Sequence, residues 1–299
     1  MVDDGNFTIE KSNIMHQAKV SKKYYIIGNP VKHSISPYLY RSLEKLKGLV
    51  VSYEALTVKE SELRDVVISL KNPEVGGFNV TIPHKTKVLP LLDEVDDLAR
   101  NIGAVNTVVN MEDQLKGYNT DAIGFSSALR DYAGSSFGRV VVLGAGGAAR
   151  AATYQLLNIV DKITLFSTNG VSAIKLAKDF EGIGPILRGY RIDHHILEEC
   201  LSEANLLVNA SPIGMSPKTE DIPVRANLIK KNTVVFDMVY NPIETRLLKE
   251  AKKIGCPTVD GLWMLVYQAL ENCRLWFSFT PDVNSLRSIA ESILRRDQQ

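Results

Sequence analysis

The chain has little cysteine, little tryptophan and no surplus of either charge. Its 299 residues hold three cysteines, Cys200, Cys256 and Cys273, and two tryptophans. Three thiols make no disulfide framework, and their spacing fits no C-x-x-C metal or redox motif. A reducing, cytoplasmic compartment is the expectation. Lysine and arginine total 35 against 34 acidic residues, a net charge of +1. With no basic excess to neutralise a phosphate backbone, nucleic acid is not an expected main partner. No apolar run reaches the roughly 20 residues that span a bilayer. The longest, Leu262 to Phe279, is broken by Gln268, Glu271, Asn272 and Arg274. A membrane is therefore not expected as a partner either. Residues 1–23 lack the apolar centre of a secretory signal and read as a polar tail. No internal repeat or low-complexity tract stands out.

What is present is an ordinary globular composition, with 45% hydrophobic and 23% charged residues. The length suggests about two domains. Strand and helix signals alternate. Tyr24 to Ile27 reads as a strand ending at Gly28-Asn29-Pro30. Ser36-Pro37 opens a helix that Gly48 closes. Val50 to Leu56 reads as a strand, Ser61 to Leu70 as a helix, and Gly76 to Ile82 as a strand leading into Pro83-His84-Lys85. Ala104 to Asn110 is a further strand, with a turn at Met111 to Gln114. Strand then helix, repeated, predicts α/β architecture with a parallel sheet.

A second unit begins near Thr120. Asp121 to Tyr132 reads as a helix. Arg139 to Leu143 is a β-branched strand meeting Gly144-Ala145-Gly146-Gly147-Ala148-Ala149, and a helix follows to about Asn158. Lys162 to Phe166, Leu206 to Ala210 and Thr233 to Asp237 read as strands. Ser172 to Phe180 and Thr245 to Ile254 read as helices. Two helices close the chain, Leu262 to Phe277 and Val283 to Arg295. With no strand after them, they are expected to return to the first domain.

The glycine loop carries the sharpest chemical signal. Gly144-x-Gly146-x-x-Ala149 follows a strand and opens a helix, the context a dinucleotide fingerprint needs. The first glycine makes the turn, the second lets backbone approach a pyrophosphate, and the small third residue lets helix and strand pack. The bland alternative is a tight turn with no ligand. The next strand end, Ser167-Thr168-Asn169, should meet the ribose. It has neither the acid that binds the 2′-hydroxyl of NAD nor the arginine that holds the 2′-phosphate of NADP. Lys175 and Arg150, on neighbouring helices, are the candidates to supply charge.

Polar clusters mark the first domain. Ser34 and Ser36 precede a helix; capping accounts for part of Ser36, while Ser34 is freer to bind a hydroxylated ligand. Asn79 and Thr81 share one strand face. Alone, that pattern more often marks a solvated face. Lys85 falls beyond the carboxyl end of a strand, where open α/β sheets bind ligands. His84 reads as structural rather than as a metal ligand, and no His/Cys/Asp/Glu cluster has metal spacing. Asn106 and Asn119-Thr120-Asp121 complete the set. Asp121 is either a helix cap or the partner that holds a lysine charged and oriented for proton donation.

Taken in order, these pieces resemble the shikimate dehydrogenase family. The resemblance rests on Gly28-Asn29-Pro30-Val31-Lys32-His33-Ser34-Ile35-Ser36-Pro37, Gly77-Phe78-Asn79-Val80-Thr81-Ile82-Pro83-His84-Lys85, Gly103-Ala104-Val105-Asn106-Thr107 and Gly117-Tyr118-Asn119-Thr120-Asp121. To these add the glycine loop, Asn209-Ala210-Ser211-Pro212-Ile213-Gly214-Met215, Asp237-Met238-Val239-Tyr240 and Asp260-Gly261-Leu262-Trp263-Met264-Leu265-Val266-Tyr267-Gln268. It implies an N-terminal α/β substrate domain, residues 24–121 and 262–299, and a Rossmann-like nucleotide-binding domain, residues 122–261. It implies reversible reduction of 3-dehydroshikimate to shikimate with NADP, in the chorismate route to aromatic amino acids.

By the same resemblance Lys85 and Asp121 are the catalytic pair. Ser34, Ser36, Asn79, Thr81, Asn106, Tyr240 and Gln268 surround the substrate. Gly144, Ala145, Gly146, Gly147 and Ala148 hold pyrophosphate, Ser167, Thr168 and Asn169 meet the ribose end, and Met238 and Gly261 flank the nicotinamide. The family usually carries Asn-Arg-Thr where this chain has Ser167-Thr168-Asn169. That departure predicts weak discrimination, with NAD also accepted. Trp263 stands where a small glycine is common. The alternatives are a quinate/shikimate dehydrogenase using NAD, which the serine pair disfavours, and a non-catalytic ligand-binding relative, which an intact Lys85 and Asp121 disfavour. A monomer or homodimer is expected, with no metal.

Overall fold

The computed structural model describes residues 22–133 and 137–296, so all but the last two residues of the expected N-terminal tail lie outside the described part. The first unit holds β1 (Lys23–Gly28), α1 (Ser36–Arg41), α2 (Leu43–Lys47), β2 (Ser52–Thr57), α3 (Leu63–Leu70) and β3 (Val75–Val80). It continues with β4 (Glu94–Val95), α4 (Asp97–Ile102), β5 (Thr107–Met111) and β6 (Gln114–Tyr118). The sheet order is β2-β1-β3-β5-β6-β4. β1 runs parallel to β2 and β3, but β5 runs antiparallel to both β3 and β6. The expected parallel sheet is therefore a mixed one in this unit. The β5–β6 reversal is local: Glu112 and Asp113 have φ of 51° and 66°, a two-residue hairpin turn that sends the chain straight back.

Two further boundaries differ from expectation. The helix after Ser36 is two short pieces meeting at Ser42, whose hydroxyl donates to the Leu39 carbonyl at 2.6 Å. β3 ends at Val80 rather than Ile82, although the Thr81 N–H still donates to the Ile27 carbonyl at 2.9 Å and the Ile82 carbonyl accepts the Asn29 N–H at 2.8 Å. α4 passed unnoticed in the sequence. It is six residues long, capped by the Asp96 side chain and ended by Gly103 at φ 71°.

The second unit holds α5 (Thr120–Ala133), β7 (Arg139–Leu143), α6 (Gly147–Leu156), β8 (Lys162–Ser167), α7 (Val171–Asp179) and β9 (Ile186–Arg191). After these come α8 (His194–Ser202), β10 (Leu206–Asn209), β11 (Val234–Asp237), α9 (Arg246–Ile254) and β12 (Thr258–Val259). Its sheet is parallel throughout, in the order β12-β11-β10-β7-β8-β9. Numbered within the unit, this is the doubly wound order 3-2-1-4-5-6, whose reversal between β7 and β10 opens a crevice beyond the strand ends. β7, β10 and β11 are buried almost end to end, as strands covered on both faces must be. Their β-branched and aromatic residues supply the packing.

α10 (Gly261–Phe277) and α11 (Val283–Arg296) follow. Leu262, Val266, Ala269, Leu286 and Leu294 pack with Tyr24, Ile26, Leu39 and Tyr53 of the first unit, so the closing helices do return. α5 and α10 meet closely at Gly124, where a Cβ would lie 2.6 Å from the Met264 carbonyl oxygen. Among the described residues no helix is long and apolar enough to cross a membrane.

Candidate active site

The segment after β3 is pinned from both sides. His84 is fully buried and donates from Nε2 to the Val58 carbonyl at 2.7 Å. The Lys85 carbonyl accepts the Val105 N–H at 2.8 Å. His84 is thus structural, as expected. Anchored in this way, Lys85 donates from Nζ to Asp121 Oδ2 at 2.6 Å, with the two side chains 15% and 8% exposed. The cap of α5 is Asn119, whose Oδ1 accepts the Ala122 N–H at 3.0 Å. Asp121 is not the cap, which leaves its carboxylate free for the lysine.

A buried polar network holds this pair. Asn106 donates to Asp121 Oδ1 at 3.1 Å and accepts the Thr120 N–H at 2.7 Å. Asn79 donates to the Asn106 carbonyl and to the Thr107 hydroxyl, both at 3.0 Å, and accepts the Tyr53 hydroxyl at 2.6 Å. Asn79 is buried, so its strand face is not solvated. From α10, Asn272 accepts the Thr107 hydroxyl at 2.8 Å and the Thr120 hydroxyl at 2.9 Å. It donates to Gln268 Oε1 at 3.0 Å and to the Tyr40 hydroxyl at 2.8 Å. Asn272, Tyr40 and Tyr53 were missed in the sequence. The available signal was Asn272 four residues after Gln268, on the same face of one helix.

The serine pair adjoins this network. Ser34, not Ser36, supports the helix start: its Oγ accepts the Ser36 N–H at 3.3 Å, and no side chain caps α1. The capping share assigned to Ser36 is therefore corrected; a hydroxyl two residues earlier reaches the free amide. The Ser36 hydroxyl meets Tyr53, and the Ser34 hydroxyl meets Tyr240. Burial pushes both phenols above their ordinary range, so each stays a neutral hydroxyl. Thr81 lies beyond the end of β3, beside Gly28, where a Cβ would stand 2.3 Å from Thr81 Cγ2.

The glycine loop faces this cluster from the second unit. Gly144 has φ 108°, and a Cβ there would lie 2.7 Å from the Ala210 carbonyl oxygen. Gly146 is exposed, with nothing within 4 Å of a built Cβ. Ala149 is fully buried. This backbone is open to a phosphate at the start of α6, whose first amides have no helical partner. The residues present therefore fit a dinucleotide pyrophosphate. A Cβ on Gly261 would lie 2.5 Å from the Met238 carbonyl, so those two positions come together as expected. Beneath them Asp237 accepts from Thr245 at 2.6 Å, Asn209 at 2.9 Å and the Val239 N–H at 3.0 Å. Burial nevertheless lifts its carboxyl to about 6.

At the β8 end, Ser167 Oγ accepts the Ala173 N–H at 3.2 Å and Asn169 Oδ1 accepts the Val171 N–H at 3.1 Å. Thr168 is exposed. Arg150 is already committed, to the Ile102 carbonyl at 2.7 Å and to Asp179 at 2.6 Å.

Chemically, a lysine held by a carboxylate beside a phosphate-binding loop suits proton donation to an oxygen gaining charge. Residues 26–108 match the family model described as the shikimate dehydrogenase substrate binding domain, and residues 261–290 the shikimate 5′-dehydrogenase C-terminal domain. The curated shikimate dehydrogenase (NADP(+)) of Pyrococcus furiosus is 38% identical over 275 residues, 92% of this chain and 97% of its own. The chain belongs to the shikimate dehydrogenase family. Shikimate 5-dehydrogenase from Thermus thermophilus, solved in complex with NADP(H) and shikimate, matches with TM-score 0.78 at 34% identity, over 92% of this chain and 99% of that one. Quinate dehydrogenase from Corynebacterium glutamicum, solved in complex with NAD, matches with TM-score 0.81 at 31% identity, over 91% and 99%.

Proposed function

We propose that this protein catalyses the reversible NADP-dependent reduction of 3-dehydroshikimate to shikimate. The observation that carries the reading is the Lys85–Asp121 ion pair at 2.6 Å, set against the glycine loop. Bound NADPH would supply the hydride. Lys85 Nζ holds a proton where the ketone oxygen gains charge, stabilises that charge and hands the proton over. Asp121 orients Nζ and is itself oriented by Asn106. Ser34, Ser36 and Tyr240 bind the substrate carboxylate; Asn79, Thr81, Asn106 and Gln268 bind its hydroxyls. Gly144 to Ala148 hold pyrophosphate, and Met238 and Gly261 flank the nicotinamide. Residues 24–121 with 262–299 form the substrate domain and residues 122–261 the nucleotide domain.

The likeness to a quinate dehydrogenase with NAD supports a second reading, quinate oxidation. The paired serines favour shikimate. Turnover of shikimate and quinate, each with NADP and NAD, separates the two. Shikimate with NADP should be fastest. A clear preference for quinate with NAD, or no turnover of shikimate, would overturn the assignment. The three free thiols suit the reducing cytoplasm. All proposed site residues come from one chain, which suits a monomer and a homodimer equally.

A further inference from the structure

β9 was invisible in the sequence, and it changes the cofactor question. In a sheet of order 3-2-1-4-5-6, the end of the second strand meets the adenosine ribose. That strand is β8, and its terminus Ser167-Thr168-Asn169 carries no charge. β9 lies parallel to β8, with Arg191 directly opposite Ser167. The Ile192 N–H then donates to the Ser167 carbonyl at 3.0 Å, so the two strands end level.

The direction of Arg191 follows from its neighbours. Side chains alternate along a strand. A Cβ on Gly189 would strike the Ala173 backbone at 2.3 Å, so positions 189 and 191 face α7. A Cβ on Gly170 would stand 3.1 Å from Arg191 Cβ. Arg191 therefore leaves the sheet beside the β8–α7 loop. Tyr190 and Ile192 pack on the opposite side with Leu197 and Leu201, which puts Arg188 on that side too. Arg191 is exposed and has no ion pair or side-chain hydrogen bond among the described residues. Arg150, the other candidate arginine, is committed to Asp179 and Ile102.

We propose that Arg191 binds the 2′-phosphate of the cofactor's adenosine ribose and so sets the preference for NADP over NAD. The guanidinium presents a planar fork of donors that matches a phosphate bidentately. The Thr168 hydroxyl and the Asn169 amide add neutral donors, while Ser167 and the Asn169 carbonyl brace the loop. The weak discrimination expected from β8 alone is thereby revised to a clear preference for NADP. The inference rests on the nucleotide role proposed for the second unit, and it names the residue that selects the nucleotide.

The test compares Arg191→Gln with the parent protein by calorimetry, using adenosine 2′,5′-bisphosphate and adenosine 5′-monophosphate as probes. Loss of a charged hydrogen-bonding partner should weaken the bisphosphate about 10- to 100-fold and leave the monophosphate unchanged. In steady-state assays KM for NADP should rise by a similar factor, with KM for NAD and kcat unaltered. Arg191→Lys should recover part of the loss, and Arg188→Gln and Lys175→Gln should behave as the parent. Equal bisphosphate affinity in Arg191→Gln, or a loss that follows Lys175→Gln instead, would overturn the proposal. The binding measurement is independent of turnover. A protein that selects the bisphosphate through Arg191 yet leaves shikimate untouched refutes the reaction and upholds this residue. If neither probe binds the parent protein, the nucleotide role and this proposal fall together.

Discussion

Gly147 stands against the stem of Lys85: a Cβ there would lie 2.6 Å from Lys85 Cβ and 2.9 Å from its Cδ. The two residues belong to different units, one at the start of α6 and the other beyond the end of β3. The loop proposed to hold the cofactor is thus also the wall that seats the lysine of the ion pair. A change in the one reaches the other without any intervening residue.

Gly147→Ala should therefore act through Lys85. Gly147 has no positive φ, so the added methyl strains no backbone, and its three nearest neighbours are all atoms of the lysine stem. We expect kcat to fall about tenfold, through displacement of Nζ, while overpacking costs about 1 to 3 kcal/mol in stability. Steady-state kinetics beside thermal melts read both. An unchanged kcat would show that the lysine stem moves aside freely.

Lys85→Met keeps most of the stem and removes the donor. The rate should drop on the order of a hundredfold or more, as for loss of a general acid and charge stabiliser. KM for shikimate should move much less. Near-normal turnover by a folded Lys85→Met protein would remove Lys85 from the mechanism.

Asn272 joins α10 to the hydroxyls of Thr107, Thr120 and Tyr40 and to the Gln268 amide. Asn272→Ala removes one partner from each of the Thr107, Thr120 and Tyr40 hydroxyls and from Gln268 Oε1, all in a buried network. A loss of about 1 to 3 kcal/mol is expected, with a lower kcat/KM as Thr120 and Asn106 loosen around Asp121. Urea unfolding and kinetics together check this. A variant equal to the parent in both would mean that the network closes without Asn272.

Asp237 gives a pH signature. Its carboxyl stands at about 6 in the folded chain against an ordinary 3.8, so the native state holds the proton more tightly than the unfolded state. The stabilisation is complete below about pH 4 and is lost as pH rises through about 6. A difference of that size corresponds to about 3 kcal/mol. Asp237→Asn should flatten the fall in unfolding free energy between those limits. Denaturation midpoints across the window measure it, and an unaltered slope would assign the titration elsewhere.

Much of this protein is legible from short-range chemistry. The β-branched run of β7, the glycine turn after it and the alanines of α6 announce strand, loop and helix, because each is set by its own neighbours in the chain. The same holds for the α9 boundaries, where Thr245 caps one end and Gly255 adopts φ 86° at the other. Lys85, Asp121 and the serine pair stand out as residue types at strand ends. What only the tertiary structure decided is which of these residues meet. Lys85 and Asp121 are 36 residues apart, and Asn272 reaches Thr107 across 165; no local pattern encodes such a contact. β9 escaped because Ile-Leu-Arg-Gly-Tyr-Arg lies at a sheet edge and is buried at none of its positions, so it shows no apolar alternation. Its place beside β8 comes from backbone pairing, which almost any side chain permits, and that pairing is what puts Arg191 next to Ser167.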